Sequence, residues 1–277
     1  PIAAQAGVEI MKNGGNAFDA AIATAACLAV VEPTSNGLGS DAFAILSKDD
    51  KIYGINGSGK SPKKLTLDWL INNGVETIPK FGPLPVTVPG AVGTWVEIIN
   101  KFGSLTLREV LEPAIKAAKD GVVIQPTVGK YWELATNRYS KVLKDEMYKH
   151  WFNTFTRDGI SPKVGTLVIL PDHAKTLEII GDSNGEEFYR GEIAVKISDF
   201  MSSIGGLLSK EDLEEYKPEW VEPLSISYRG YDVWELPPNG QGITTLMALN
   251  ILNNKDLKDL EDPYSIHNAI EAMKIAF

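Results

Sequence analysis

Fifteen consecutive residues, Ala17 to Val31, are drawn almost wholly from Ala, Ile, Leu, Val, Phe, Thr and Cys, with Asp19 and Thr24 the only polar positions. A surface helix shows a polar face at the 3.6-residue period; this stretch has none, so it predicts a helix covered on most sides. Its many small side chains let neighbouring layers come close. Asn16 is placed to cap it, and Asp19 stands at N3, where a carboxylate reaches back to the cap's N–H. Asp19 therefore reads as half of a capping box rather than as a catalytic acid. Glu32-Pro33 ends the helix, because the residue before a proline is pushed out of the α region. Asn36-Gly37-Leu38-Gly39 then turns the chain into an apolar strand, Ala42 to Leu46. The remaining residues must cover this helix-turn-strand.

A chain of 277 residues can bury a large core. Its 44% hydrophobic and 23% charged content is that of a soluble globular protein. The net charge of −9 opposes nucleic-acid and anionic-membrane partners, since both need basic patches. No run reaches the roughly 20 apolar residues of a membrane span. Cys27 is the one cysteine, so no intramolecular disulfide forms, and its place in the apolar helix makes it a small core residue. Three scattered histidines and this thiol give no zinc-ligand spacing, and neither metal nor cofactor is expected. No basic-then-apolar leader begins at Pro1, which tilts the expected compartment slightly toward the cytoplasm and otherwise leaves it open.

Along the chain, Ile2 to Lys12 has helical spacing and stops at Asn13-Gly14. The strand Ala42–Leu46 and a second one, Ile52–Ile55, flank Lys48-Asp49-Asp50 and predict a hairpin. Val86-Thr87-Val88 reads as a brief strand in an irregular proline-rich segment. A helix from Ala91 stops at Gly103. The next is capped at Ser104 or, as a second option, at Thr106 with Glu109 at N3, and Pro113 falls near a first turn or makes a kink. Gln125-Pro126 starts a helical stretch to about Met147, followed by an aromatic packing cluster of His150, Trp151, Phe152 and Phe155. Leu167–Leu170 reads as a short strand or an apolar lead-in, Asp172 as the cap of a helix to Ile180, Glu192–Ile204 as a helix, and Ser209 as the cap of a short one. Leu224–Tyr228 and Tyr231–Glu235 predict a second hairpin about Arg229-Gly230. Helices Ile243–Leu252 and Ser265–Phe277 follow. This mixed order suits one α+β domain over residues 1–277.

Gly54 to Ser61 reads G-I-N-G-S-G-K-S, a formal match to the phosphate-binding pattern G-x-x-x-x-G-K-[ST]. In a true P-loop, backbone N–H groups cradle phosphates at the start of a helix. Here the preceding strand belongs to a hairpin and carries Gly54 in its body. Pro62 follows Ser61 directly, and the segment Lys63–Ile71 is short.

Several blocks in order resemble the γ-glutamyltranspeptidase family of N-terminal nucleophile hydrolases. They are Gly14-Gly15-Asn16-Ala17 with Asp19-Ala20-Ala21, Val31-Glu32-Pro33 and Gly37-Leu38-Gly39. Further on come Phe188-Tyr189-x-Gly191, Gly205-Gly206-Leu207 with Lys210-Glu211-Asp212-Leu213, and Arg229-Gly230-Tyr231. The Pro237-Pro238…Gly242 turn and Glu271-Ala272-Met273-Lys274-x-Ala276-Phe277 complete the set. The resemblance runs the length of the chain. It implies a four-layer αββα sandwich and a precursor cleaved before a threonine, which becomes both a new N-terminus and the nucleophile. It also implies that residues 1–277 are most of the heavy chain, completed by a C-terminal light chain from the same precursor. No catalytic residue is then expected within this chain, since the nucleophile lies downstream. Transpeptidases proper carry an Arg four residues before the proline that follows the first hairpin, to hold the glutamyl α-carboxylate. That position is Ser58, and Lys60 is nearby. By resemblance these two are the candidate substrate-binding residues, and the loop looks more like the family's acylases and amidases.

The leading expectation is thus an amide hydrolase or acyltransferase acting on a small amide or γ-glutamyl-like substrate. The alternatives are a P-loop nucleotide-binding protein using Gly54–Ser61, or a catalytically silent scaffold subunit. For want of strand-to-helix geometry, ATP with magnesium is expected to leave thermal melting unchanged. A saturable upward shift abolished by Lys60→Ala would overturn that expectation.

Overall fold

The computed structural model describes residues 1–259 and 261–277. It begins with α1 (Ile2–Lys12) and α2 (Ala17–Val31), then strands β1 (Ala42–Lys48) and β2 (Lys51–Gly57). Short α3 (Leu67–Asn72) precedes α4 (Ala91–Phe102), α5 (Leu107–Asp120), β3 (Val122–Val123) and α6 (Pro126–Val142). A 3-10 turn (Glu146–Tyr148) leads to α7 (Lys149–Phe155), β4 (Leu167–Val168) and α8 (Pro171–Asp182). Then come α9 (Glu186–Tyr189), α10 (Glu192–Ser203) and α11 (Lys210–Glu214). The last elements are β5 (Glu219–Val221), β6 (Leu224–Tyr228), β7 (Tyr231–Glu235), α12 (Gly242–Leu252) and α13 (Pro263–Ala276). The chain is α+β, as its mixed pattern predicts. It forms two compact units, Pro1–Asp41 with Gly59–Lys217 and Ala42–Ser58 with Pro218–Phe277.

The first unit is built on α2, which packs against α1, α4 and α5. Ala23 and Ala26 are fully buried, as are Val110, Leu111 and Ala114 of α5. Gly7 lets α1 approach, since a Cβ there would lie 2.5 Å from Thr24 Oγ1 and 3.0 Å from the Ala20 carbonyl. The capping box is formed. Asn16 Oδ1 accepts from the amides of Phe18 (2.8 Å) and Asp19 (3.1 Å), and Asp19 Oδ2 accepts from Asn16 N–H (2.8 Å).

The box reaches further than its own helix. The fully buried Asp19 carboxylate also accepts from the amides of Ser104 (3.0 Å) and Leu105 (3.4 Å). Asn16 Nδ2 donates to the Phe102 carbonyl (2.7 Å) and Ser104 Oγ (2.9 Å). Ser104 is therefore engaged by α2, and α5 takes Thr106 as its cap, with Glu109 closing a second capping box. Gly103 lies in this turn, where a Cβ would come 2.8 Å from Asp19 Oδ1. Tyr189 ties α9 to the start of α4: its hydroxyl accepts from Gly93 N–H (2.9 Å) and donates to the Pro89 carbonyl (2.8 Å).

In the second unit, β1 and β2 pair antiparallel from Ala42↔Gly57 to Lys48↔Lys51. Their turn is Asp49-Asp50, both at positive φ (52° and 58°), the two-residue form that matches strand twist. The β6–β7 hairpin turns the same way through Arg229 and Gly230 (φ 52° and 86°). β5 pairs with the other side of β2, and α12 packs on α13 and the β6–β7 hairpin.

Four local expectations change. Val88 is not in a strand: its N–H donates to the Lys60 carbonyl (3.0 Å), but residues 86–88 join no ladder. The stretch predicted as one helix to Met147 ends at Val142, giving way to the 3-10 turn and α7. Pro113 lies inside α5 rather than near its first turn. α8 starts at Pro171, whose ring presets helical φ at N1, so Asp172 lies in the first turn and does not cap. The aromatic cluster packs as expected: Trp151 stands 4.9 Å from Tyr139 and 5.7 Å from Phe155, ring centre to ring centre.

Asn16→Ala is expected to cost about 1–2 kcal/mol through the lost cap. Asp19→Ala should cost more, about 2–4 kcal/mol, because it strands amides of two segments in the interior. Denaturant unfolding of the full-length protein measures both, and a smaller loss for Asp19→Ala would refute this account.

Candidate functional site

The second unit carries the first predicted site residue. Asn56 is held in β2 by pairing with Phe43 on one side and Glu219 on the other. Its Oδ1 accepts from the Ser58 N–H (2.9 Å), which bends the chain out of the strand. Its Nδ2 donates to Oδ1 of Asn239 (2.8 Å), and Asn239 Nδ2 donates to Ser58 Oγ (2.8 Å). Asn239 lies between β7 and α12, after Pro237-Pro238, whose fixed φ stiffens the approach. Ser58 is half-buried and Asn239 exposed. A hydroxyl oxygen that accepts from Asn239 still has its own hydrogen to donate.

The residues that follow belong to the first unit. A Cβ at Gly59 would overlap the Val88 carbonyl, so only glycine fits there. The Lys60 carbonyl accepts from Val88 N–H, and the Lys60 side chain is exposed. The Lys63 N–H donates to Asp212 Oδ1 (2.9 Å), while Oδ2 accepts from the Ser209 amide (2.9 Å) and hydroxyl (2.7 Å). Burial alone would raise the Asp212 pKa, but these hydrogen bonds outweigh it and hold the carboxyl below its ordinary value.

This geometry removes the nucleotide reading of Gly54–Ser61. Gly54 is a packing glycine inside a central strand, where a Cβ would lie 2.9 Å from the Val221 carbonyl. No helix follows Lys60 directly, because the next one, α3, begins only at Leu67 and has its own cap in Thr66. Pro62, directly after the motif, has no N–H to offer a phosphate, and the next amide, that of Lys63, is taken by Asp212.

Burial pushes the Cys27 thiol up to about 11, so it is no nucleophile at neutral pH. Burial also lowers the pKa of His173, whose ring packs on Phe155. Among the described residues no group of three or more His, Cys, Asp or Glu could hold a metal, and no helix is long and apolar enough to cross a membrane. An apolar cavity of about 370 Å³ in the first unit, beside Leu28, Val31 and Ile124, is lined by neither Ser58 nor Lys60.

Sequence reasoning missed Asn56 and Asn239 as partners of Ser58. Each precedes a glycine, at Asn56-Gly57 and Asn239-Gly240, and each reads locally as a turn residue. Their pairing spans 183 residues and leaves no local pattern.

A family model described as gamma-glutamyltranspeptidase matches residues 3–277. The glutathione hydrolase-like YwrD proenzyme of Bacillus subtilis (strain 168) is 37% identical over 283 residues, covering 100% of this chain and 52% of that protein. The crystal structure of a cephalosporin acylase from Bacillus halodurans is 51% identical with a TM-score of 0.97, covering 100% of this chain and 52% of that one. The γ-glutamyltranspeptidase of Helicobacter pylori is 31% identical with a TM-score of 0.91, covering 100% of this chain and 80% of that one. The chain thus spans about half the length of the curated relatives it matches. Matched from residue 3 to residue 277 and aligned over its whole length with solved members, it belongs to the γ-glutamyltranspeptidase family.

Proposed function

We propose that the full-length protein is an amide hydrolase or acyltransferase whose nucleophile is an N-terminal threonine created by cleavage downstream of residue 277. On this reading residues 1–277 are most of the heavy chain, and the light chain from the same precursor completes a four-layer αββα sandwich. Relatives named as proenzymes, of which this chain covers about half, support that division. Exposed apolar side chains in the second unit support it too. Phe43 and Ile45 of β1, and Ile270, Ile275 and Phe277 at the end of the chain, stand in solvent where a further layer would cover them.

In the reaction, the threonine α-amine takes the hydroxyl proton as Oγ attacks the amide carbon. The C–N bond breaks, the leaving amine takes that proton, and an acyl ester remains on the threonine. Water, or an acceptor amine, then attacks the ester and releases the acyl group. Ser58 and Lys60 are proposed to contact that acyl group.

The observation that carries the substrate preference is the serine at position 58, where the family's transpeptidases hold an α-carboxylate with Arg. A carboxylate leaving water recovers its hydration best through the two parallel N–H bonds of a guanidinium. Ser58 offers one neutral donor, and the Lys60 ammonium is a point charge on an exposed stem. An uncharged acyl amide does not suffer this loss. The likeness to a solved cephalosporin acylase at 51% identity supports the acylase class.

Intact mass spectrometry of the purified full-length protein should find two chains, the second starting with threonine. An active protein that remains a single polypeptide would overturn the mechanism. In an assay of matched γ-glutamyl and simple acyl anilides, the acyl anilide should be favoured by roughly 1.5 to 3.5 decades in kcat/KM, the equivalent of about 2–5 kcal/mol for a missing charge-assisted partner. Ser58→Arg should narrow that gap. A clear wild-type preference for the γ-glutamyl anilide would defeat the inference from Ser58.

A further inference from the structure

We propose that Asn239 is a positioning residue which commits the Ser58 hydroxyl to donating its hydrogen to a neutral oxygen on the acyl group. The inference rests on the acylase reading above and narrows its substrate class to amides whose acyl chain carries a carbonyl-type acceptor at its far end.

Donor and acceptor directions around Ser58 are set by a group that has no choice. The Ser58 backbone N–H can only donate, and it donates to the Asn56 side chain at 2.9 Å. Asn56 must therefore point its carbonyl oxygen at Ser58, and its amide nitrogen faces Asn239. An amide nitrogen also only donates, so Asn239 turns its own carbonyl oxygen to Asn56, at 2.8 Å. That leaves the Asn239 nitrogen facing Ser58 Oγ, again at 2.8 Å. A polarity set by one backbone amide thus passes through two side chains and ends on one lone pair of the Ser58 oxygen. With that lone pair taken, the hydroxyl hydrogen points to other acceptors. Pairing on both sides within β2 fixes the backbone from which the Asn56 side chain projects, and its two hydrogen bonds, to Ser58 and Asn239, set how that side chain faces.

A ketone, ester or amide oxygen accepts such a hydrogen without the desolvation cost of a carboxylate. The γ-glutamyl carboxylate carbon is the fifth atom of its acyl chain, so 5-oxohexanoyl anilide places a neutral oxygen there and hexanoyl anilide is its all-carbon match.

The experiment measures kcat/KM for these two anilides with the full-length protein. The wild type should favour the 5-oxohexanoyl compound by about three- to tenfold, the range of one neutral hydrogen bond. Asn239→Asp keeps the shape but offers only acceptors, so Ser58 would donate inward and the preference should vanish. Asn239→Ala should reduce it, and in a Ser58→Ala background Asn239→Asp should change the ratio no further. A merely structural role would lower both rates together and leave their ratio intact, and that result would overturn the proposal while sparing the acylase reading. Equal wild-type rates on the two anilides would do the same. Failure to cleave either anilide, alongside efficient cleavage of a γ-glutamyl anilide, would overturn both.

Discussion

One buried carboxylate organises the first unit. Asp19 sits at the start of a helix that has no polar face, in surroundings where an unpaired charge could not persist. It is tolerated because it accepts backbone amides from two places: the cap of its own helix and the turn between α4 and α5. That turn makes its tight approach through Gly103, beside the Phe18–Phe102 ring stack. The helix is thereby tied at its N-terminus to the segment that covers it, and α5 is set in place before any of its apolar face is counted.

The loop after the first hairpin depends on the same kind of bond made outward from the backbone. Asp212 closes the cap of α11 and at the same time holds the Lys63 amide, while Val88 holds the Lys60 carbonyl. In the loop with the letters of a phosphate cradle, the Ser58 N–H and the Lys60 carbonyl are committed to the protein itself. On the other side of Ser58, Asn56 and Asn239 complete a closed set of hydrogen bonds about the serine. A loop rich in glycine and serine is thus held at both ends by side chains from distant parts of the chain.

How much of this was legible depends on the reach of each interaction. The α2 boundaries, its capping box and the two hairpins are written in residues at most four apart or at a two-residue turn, and the structure reproduces them. The choice between Ser104 and Thr106 as the cap of α5 was open by local rules, because either hydroxyl could serve. It was closed by α2, whose Asn16 and Asp19 claim Ser104. The three-residue β5 was missed, since so short a run has no period of its own and exists only as a partner of β2.

That transpeptidases carry a guanidinium at position 58 is what the family resemblance implies. Residue type and local spacing alone determined that a fully apolar helix must be buried, that Asn16 and Asp19 cap it, and that residue 58 offers a hydroxyl. Each follows from chemistry within one turn of chain. What surrounds that hydroxyl was decided only by the tertiary structure. Asn239 meets Ser58 across 181 residues of sequence, and which way its amide faces is dictated by a backbone N–H two bonds further along the network. A hydrogen bond of that kind has no period and no spacing, because it depends on where two distant loops are carried by the strands and helices between them.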